Sequence, residues 1–158
     1  LREDGRVFAC GNGGSMSDAM HFTEELCGRF RETRPALGAL AFSDPATLTC
    51  IANDFGFEEV FARQIEAQGR PGDVLVLLST SGNSPNVVRA AQAARATGVE
   101  TIGLLGRGGG NAATEIDVPI VVPWAKTAER IQEAHLLILH TFVESIEGAL
   151  FPGSAGRR

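Results

Sequence analysis

The sequence lacks any apolar run long enough to cross a bilayer, and no signal peptide is visible in it. We therefore expect a cytoplasmic protein with no membrane partner. Basic blocks are also lacking and the net charge is −5, which argues against nucleic acid as the main partner. The few cysteines, Cys10, Cys27 and Cys50, include no Cys-x-x-Cys pair, so we expect buried reduced thiols rather than a disulfide or zinc framework.

What is present indicates one globular α/β domain. The chain has 158 residues, of which 44% are hydrophobic, enough for a substantial core. Short apolar runs predict strands at 6–10, 36–42, 73–79, 100–105 and 118–122. Helical patterns lie between and after them, at 15–30, 45–53, 57–68, 84–97, 110–116 and 128–151. This alternation is typical of a parallel sheet covered by helices on both faces. We expect a single domain at 1–152 and a flexible tail at 153–158.

The most informative segment is LSTSGNSPN at 78–86, a turn between a predicted strand and a predicted helix. It carries four hydroxyls within six residues, those of Ser79, Thr80, Ser81 and Ser84. Hydroxyls donate hydrogen bonds, and the following helix offers free N–H groups and its positive dipole end. Ser84 suits an N-cap and Pro85 the first helical position. An ordinary capped turn is the alternative, but four hydroxyls exceed what capping requires, so we predict a phosphate site.

Two further glycine-rich turns follow predicted strands. GNGGSM at 11–16 partly matches a dinucleotide-binding fingerprint, with Met16 in place of the third glycine and Asp44 as a possible ribose ligand. This match is weak, and a nicotinamide site leaves the serine-rich turn unexplained. The turn at 106–110, GRGGG, is as readily a mobile connection as a ligand loop.

Polar side chains on the first and last helices are further candidates. His21 and Glu25 lie at i, i+4 and share a face, where they form a surface pair, bind a metal or move protons. On the last helix His135 fits a hydrogen-bonded core residue, whereas His140 needs a distant partner. Gln132 and His140 are eight residues apart, about 12 Å of helix rise. If both serve one metal, one of them comes from a neighbouring chain.

Four segments together resemble the sugar isomerase (SIS) domain family, and most closely its phosphoheptose isomerases. They are CGNGGSMSDAMHFTEELCGR at 10–29, ANDFGFEEVFARQIEA at 52–67, LLSTSGNSPNVVRAAQAAR at 77–95 and ERIQEAHLLILH at 129–140. The resemblance implies a flavodoxin-like three-layer α/β/α sandwich with a five-stranded parallel sheet. It also implies isomerisation of sedoheptulose 7-phosphate to D-glycero-D-manno-heptose 7-phosphate, a step in lipopolysaccharide and ADP-heptose or GDP-heptose biosynthesis. Homotetramers with active sites between subunits and a zinc ion are implied as well.

The resemblance also assigns roles to individual residues. Glu25 and His140 correspond to the catalytic pair, and the metal ligands correspond to His21, Glu25, Gln132 and His140. The phosphate ligands correspond to Ser79, Thr80, Ser81 and Ser84, and the other substrate-binding positions to Asn12, Gly13, Ser15, Arg29, Asp54 and Gln132. Two departures from the family pattern are expected: the long N-terminal helix that the resemblance implies does not precede the first predicted strand in this sequence, and Glu129 stands where relatives often have Asp.

Two other functions stay open at this point. A non-catalytic SIS protein, either a replication-initiator-associating factor or a sugar-phosphate sensor, could keep the phosphate turn. A related isomerase could act on a different phosphosugar, because the turn distinguishes neither sugar length nor stereochemistry.

Overall fold

The computed structural model describes residues 5–152, so the predicted tail at 153–158 lies outside the described residues. The strands are β1 (Val7–Gly11), β2 (Ala39–Ala41), β3 (Val74–Ser79), β4 (Glu100–Gly106) and β5 (Val118–Val122). The α-helices are α1 (Gly14–Cys27), α2 (Pro45–Phe55), α3 (Ala62–Gln68), α4 (Pro85–Thr97) and α5 (Ala128–Leu150). Single 3₁₀ turns lie at Phe57–Glu59 and Asn111–Thr114.

The five strands form one parallel sheet in the order β2-β1-β3-β4-β5, which confirms the predicted fold class. The chain moves outward from β1 to β2 and then returns to β3 on the other side of β1. This reversal places the carboxyl ends of β1 and β3 side by side, with Gly11 paired to Leu78. In open parallel sheets ligands bind in the crevice at such a reversal, so the topology marks where a site belongs.

Alternating side chains divide the core between the two faces of the sheet. On β1, Val7 and Ala9 pack in a cluster with α1 and α5, whereas Phe8 and Cys10 pack in a cluster with α2, α3 and α4. The strands are apolar on both faces because helices cover both, as a parallel sheet requires. The α1–α5 layer carries the candidate residues His21, Glu25 and His140.

Helix α4 starts at the predicted residues, although the Ser84 side chain makes no capping hydrogen bond within the described chain. Ser84 occupies the N-cap of α4 with Pro85 next to it, and Gly98 ends the helix in the left-handed conformation. Asp44 is the N-cap of α2, where its carboxylate accepts a hydrogen bond from the Thr47 amide at 2.8 Å. The hydrogen bonds from Thr47 lower the pKa of Asp44. This capping role accounts for the acid that the dinucleotide interpretation assigned to a ribose.

Four predicted boundaries were wrong, each for a local reason. Helix α1 ends at Cys27, because Gly28 interrupts it, and not at residue 30. The strand predicted at 36–42 is limited to Ala39–Ala41, because the Leu37 amide donates its hydrogen bond to the Leu26 carbonyl of α1 and not to a neighbouring strand. The helix predicted at 57–68 divides into a 3₁₀ turn and α3. The helix predicted at 110–116 is the 3₁₀ turn Asn111–Thr114, preceded by three glycines at positive φ.

All three cysteines were predicted to be buried, and the structure buries only one of them. Cys10 is buried in the sheet, and this burial raises the pKa of its thiol, whereas Cys27 and Cys50 are exposed. All three are free thiols, as predicted. Within residues 5–152, no helix combines the length and apolar character that spanning a membrane demands.

Candidate active site

A small cavity opens at the carboxyl ends of β1 and β3. Its lining consists of Asn12, Ser15, Leu78, Ser79, Thr80 and Ser84. Ser84 makes no capping hydrogen bond within the described chain, so its hydroxyl is available to a ligand. The hydroxyl of Ser81, the fourth predicted phosphate ligand, accepts a hydrogen bond from the Asn83 amide at 3.2 Å and is not part of this lining. Three of the four predicted phosphate ligands therefore meet in one cavity.

The phosphate loop (residues 79–84) packs against the glycine loop (residues 106–110) and the 3₁₀ turn that follows it. The Ser79 hydroxyl accepts a hydrogen bond from the Gly82 amide at 3.0 Å, and the Gly82 carbonyl accepts one from the Ala112 amide at 2.8 Å. Gly82 has a φ of 65°, and a Cβ there would lie 2.0 Å from the Gly109 carbonyl oxygen. The glycine loop therefore packs directly on the phosphate loop and is more than a connection.

Asn86 was missed from the sequence, although it directly follows Pro85 in the turn. It is buried and forms a reciprocal amide pair with Asn12, with hydrogen bonds of 2.8 and 2.9 Å. The pair ties the loop between β1 and α1 to the first turn of α4. Both walls of the cavity are therefore fixed relative to each other before any ligand binds.

Three of the four predicted metal ligands form a carboxylate–imidazole cluster (His21, Glu25, His140). The Nε2 atoms of the two histidines lie 3.2 Å apart, and Glu25 Oε1 lies 3.3 Å from His21 Nε2 and 3.6 Å from His140 Nε2. His140 thus has the distant partner that its apolar surroundings required. The cluster forms within one chain, so Glu25 and His140 meet without a second subunit.

Glu25 combines burial with an incompletely used carboxylate. Its residue is 7% exposed, and its Oε2 atom has no hydrogen-bond partner among residues 5–152. The two histidines are partly exposed, and the Phe30 ring lies 5.7 Å from that of His140. His21 faces Glu24 through Nδ1, at 3.6 Å, which leaves Nε2 directed at the cluster. A buried acceptor without a partner is costly unless a proton, a substrate or a cation uses it.

The remaining predicted site residues lie apart from the cluster. Gln132 lies against Gly14 at the start of α1, where its Nε2 is 2.4 Å from the position a Cβ would take. Gly14 precedes His21 by about 10.5 Å of helix rise. Gly13 is the N-cap of α1, and Arg29 is exposed just beyond the end of that helix. Asp54 is exposed near the end of α2, where its Oδ1 accepts a hydrogen bond from Asn53 at 2.7 Å.

His135 is buried as predicted, but it lacks the predicted hydrogen bonds. Neither ring nitrogen makes one of standard geometry within the described residues. Burial lowers the pKa of His135 from its ordinary 6.5, an effect that the Leu105 backbone opposes. The folded protein therefore holds this ring neutral at a pH where the unfolded chain protonates it.

This difference predicts a pH-dependent stability. As the pH falls below about 6.5, the unfolded chain binds a proton that the folded chain does not, so the free energy of unfolding decreases by up to about 1.4 kcal/mol per pH unit. We expect urea denaturation at pH 7.5 and 5.5 to show this loss in the wild type and a smaller loss in His135→Leu. Equal losses in the two proteins would contradict the assignment to His135.

Comparisons with known proteins agree with this geometry. The model of the SIS domain family matches residues 1–106. The chain therefore belongs to the SIS domain family. Within that family it groups with the phosphoheptose isomerases: it is 54% identical to the phosphoheptose isomerase of Vibrio vulnificus, over 93% of this chain and 77% of that relative.

Solved structures show the same relationship. The phosphoheptose isomerase from Neisseria gonorrhoeae superposes with a TM-score of 0.87 at 45% identity, over 94% of this chain and 79% of that one. The phosphoheptose isomerase from Francisella tularensis gives a TM-score of 0.88 at 37% identity, over 92% and 78% of the two chains. Fold and family membership predicted from the four sequence segments are thereby confirmed.

Proposed function

We propose that this chain is an aldose–ketose isomerase that interconverts sedoheptulose 7-phosphate and D-glycero-D-manno-heptose 7-phosphate, the entry step to heptose for lipopolysaccharide core or other bacterial glycans. The observation that carries the proposal is the 3.6 Å separation of Glu25 Oε1 and His140 Nε2 in a chain that also has the phosphate cavity. A sensor that only binds a sugar phosphate needs the cavity but has no use for a proton-transfer pair. The family membership supports the same choice.

The reaction moves a proton between C1 and C2 through an enediol. Glu25 removes the proton from one carbon and returns it to the neighbouring carbon, for which its buried Oε2 is free within residues 5–152. His140 moves the accompanying proton between O1 and O2, or opens the sugar ring. Each proton that leaves the substrate returns to it, so no other reactant is consumed.

The phosphate cavity anchors the end of the substrate that does not react. Ser79, Thr80 and Ser84 offer hydroxyls there, and the α4 N-terminus adds its positive dipole end. Binding energy gained at this remote phosphate orients the reacting carbons, and the phosphate itself takes no part in the proton transfer. Asn12 and Ser15 complete the cavity from the α1 side.

A zinc ion fits the carboxylate–imidazole cluster by the chemistry of its donors. Two imidazoles and one carboxylate offer ligand atoms within 4.8 Å of one another, a donor set that zinc prefers. Bound zinc would polarise the carbonyl and stabilise the enediolate. His21, Glu25 and His140 would hold it, and Glu25 would be a poorer base while it served as a ligand.

Gln132 is the predicted fourth ligand, and its place at Gly14 supports a site shared between subunits. We propose that Gln132 serves the cluster of a neighbouring copy within a homotetramer. Large apolar side chains exposed on the same two helices support such contacts: Met20 is 48% exposed and Leu137 is 69% exposed. Arg29 and Asp54 are the proposed additional contacts to the sugar.

A direct assay tests the proposal. Purified protein incubated with sedoheptulose 7-phosphate should convert it to the heptose 7-phosphate, and should lose most of this activity after chelation and recover it on adding zinc. Sedoheptulose without phosphate should be a far poorer substrate. A protein that binds sedoheptulose 7-phosphate tightly but never converts it would favour the non-catalytic alternative, and faster conversion of another phosphosugar would change the substrate.

A further inference from the structure

Arg34 is a buried arginine that follows α1 and folds back onto the end of that helix. Its side chain is 1% exposed. Its Nη2 donates a hydrogen bond to the Glu25 carbonyl at 2.6 Å, and its Nη1 donates one to the Leu26 carbonyl at 2.8 Å. The last turn of α1 carries no basic residue of its own. Arg34 therefore supplies both the hydrogen bonds and the positive charge that a helix C-terminus favours.

The same guanidinium also binds α5. Its Nε donates a hydrogen bond to Glu147 Oε1 at 2.8 Å, and Glu147 is itself buried. Glu147 follows His140 by seven residues, which is two helical turns on the same face and about 10.5 Å of rise. One side chain thus joins the backbone of Glu25 to the helix that carries His140.

We propose that Arg34 is a positioning residue that, with Glu147, sets the separation of Glu25 from His140. This inference rests on the proposed function, because it assigns to the pair the geometry of proton transfer. The contacts need three N–H groups in one plane, which a guanidinium has and an ammonium lacks. Lysine at this position keeps the charge but cannot hold two carbonyls and a carboxylate together.

The chain offers a matched control three residues away on each side of the junction. Arg31 and Glu144 form a second ion pair between the same segment and α5, but their side chains are 56% and 57% exposed. Exposed pairs of this kind contribute little to stability. Changes at the two pairs therefore separate the buried junction from the general attachment of this segment to α5.

The experiment compares Arg34→Lys, Glu147→Gln and the control Arg31→Gln in the full chain. We expect Arg34→Lys to lower kcat by about 10- to 100-fold while KM for the phosphosugar changes less than about threefold, because misplacing a catalytic group affects the reaction and not the distant phosphate cavity. Glu147→Gln should show the same split to a smaller degree, and Arg31→Gln should leave both constants near wild type. Cobalt, titrated by its visible absorption, reports the cluster without turnover, and its affinity should weaken in the same order.

Each other result overturns the inference. A folded Arg34→Lys variant with wild-type kcat contradicts it. Equal losses of kcat in Arg34→Lys and Arg31→Gln contradict it as well, and so does a rise in KM that matches the fall in kcat. If Arg34→Lys does not fold, Glu147→Gln is judged by the same criteria. If the wild type does not isomerise the sugar, the proposed function fails and the cobalt series alone decides whether Arg34 positions the cluster; a wild type that also fails to bind cobalt overturns both.

Discussion

Glu25→Gln is expected to reduce kcat for sedoheptulose 7-phosphate by at least about 10³-fold, within the range attributed to general acid–base catalysis. The amide has the shape of the carboxylate but cannot accept a proton from carbon. Binding of the phosphate ester should persist, because the cavity that holds the phosphate is formed by other residues, among them Ser79 and Thr80. Initial rates and calorimetric titration with the same sugar measure the two effects separately.

The same variant carries a second expectation about stability. Glu25 buries an oxygen with no hydrogen-bond partner in the described part of the chain, an arrangement that is kept for function at a cost in stability. The neutral amide relieves the burial of charge, so the melting temperature of Glu25→Gln should equal or exceed that of the wild type. Glu66→Gln, on α3 across the sheet, is the control and should leave kcat unchanged. Near-normal turnover in Glu25→Gln would eliminate Glu25 as the base.

Gly82→Ala is expected to have the second largest effect, on both stability and phosphate binding. The new Cβ would lie 2.0 Å from the Gly109 carbonyl oxygen, and the backbone there has a φ of 65°. Left-handed strain costs about 1–2 kcal/mol, and relieving the overlap costs about 1–3 kcal/mol more. We therefore expect the free energy of unfolding to fall by roughly 2–5 kcal/mol in urea denaturation. KM should rise, because moving Gly82 also moves the Ser79 hydroxyl that accepts its amide hydrogen bond.

Gly108→Ala separates the two causes. Gly108 lies in the adjoining glycine loop with a φ of 82°, but nothing lies within 4 Å of the added Cβ. This variant should therefore show the backbone strain alone, about 1–2 kcal/mol, with KM unchanged. If Gly82→Ala and Gly108→Ala lose the same stability and keep the same KM, the contact between the two loops does not support the phosphate site.

The sequence predicted those features that depend on neighbouring residues. The five strands, the N-cap at Ser84 and the turn that forms most of the cavity follow from local pattern, and the structure confirms them. This reasoning has a limit, because composition cannot tell which hydroxyls a turn also uses for its own backbone, as it does those of Ser79 and Ser81. The same limit applies to Asp44, since a capping acid and a ribose-binding acid look alike in sequence.

Features that depend on distant contacts could not be predicted from local pattern, and the grouping of His21, Glu25 and His140 came only from the family resemblance. His21 and His140 are 119 positions apart, and only the packing of α1 beside α5 shows that they meet within one chain. Arg34 stood among several arginines, and nothing near it in sequence marks it as buried. The glycine loop resembled a simple connection in the sequence. Its contact with the phosphate loop is made by backbone atoms, which a side-chain pattern cannot predict.

Helix α1 begins at the phosphate cavity and ends just past Glu25, which makes its residue count a fixed dimension of the site. Removing one residue between Ser15 and His21 would shorten the helix by about 1.5 Å and turn everything after the deletion by about 100°. His21 and Glu25 would then leave the face that meets His140, although each side chain is retained. This stretch should therefore accept substitutions at its exposed positions but no insertion or deletion. A natural variant with a different spacing here should keep the fold and lack isomerase activity.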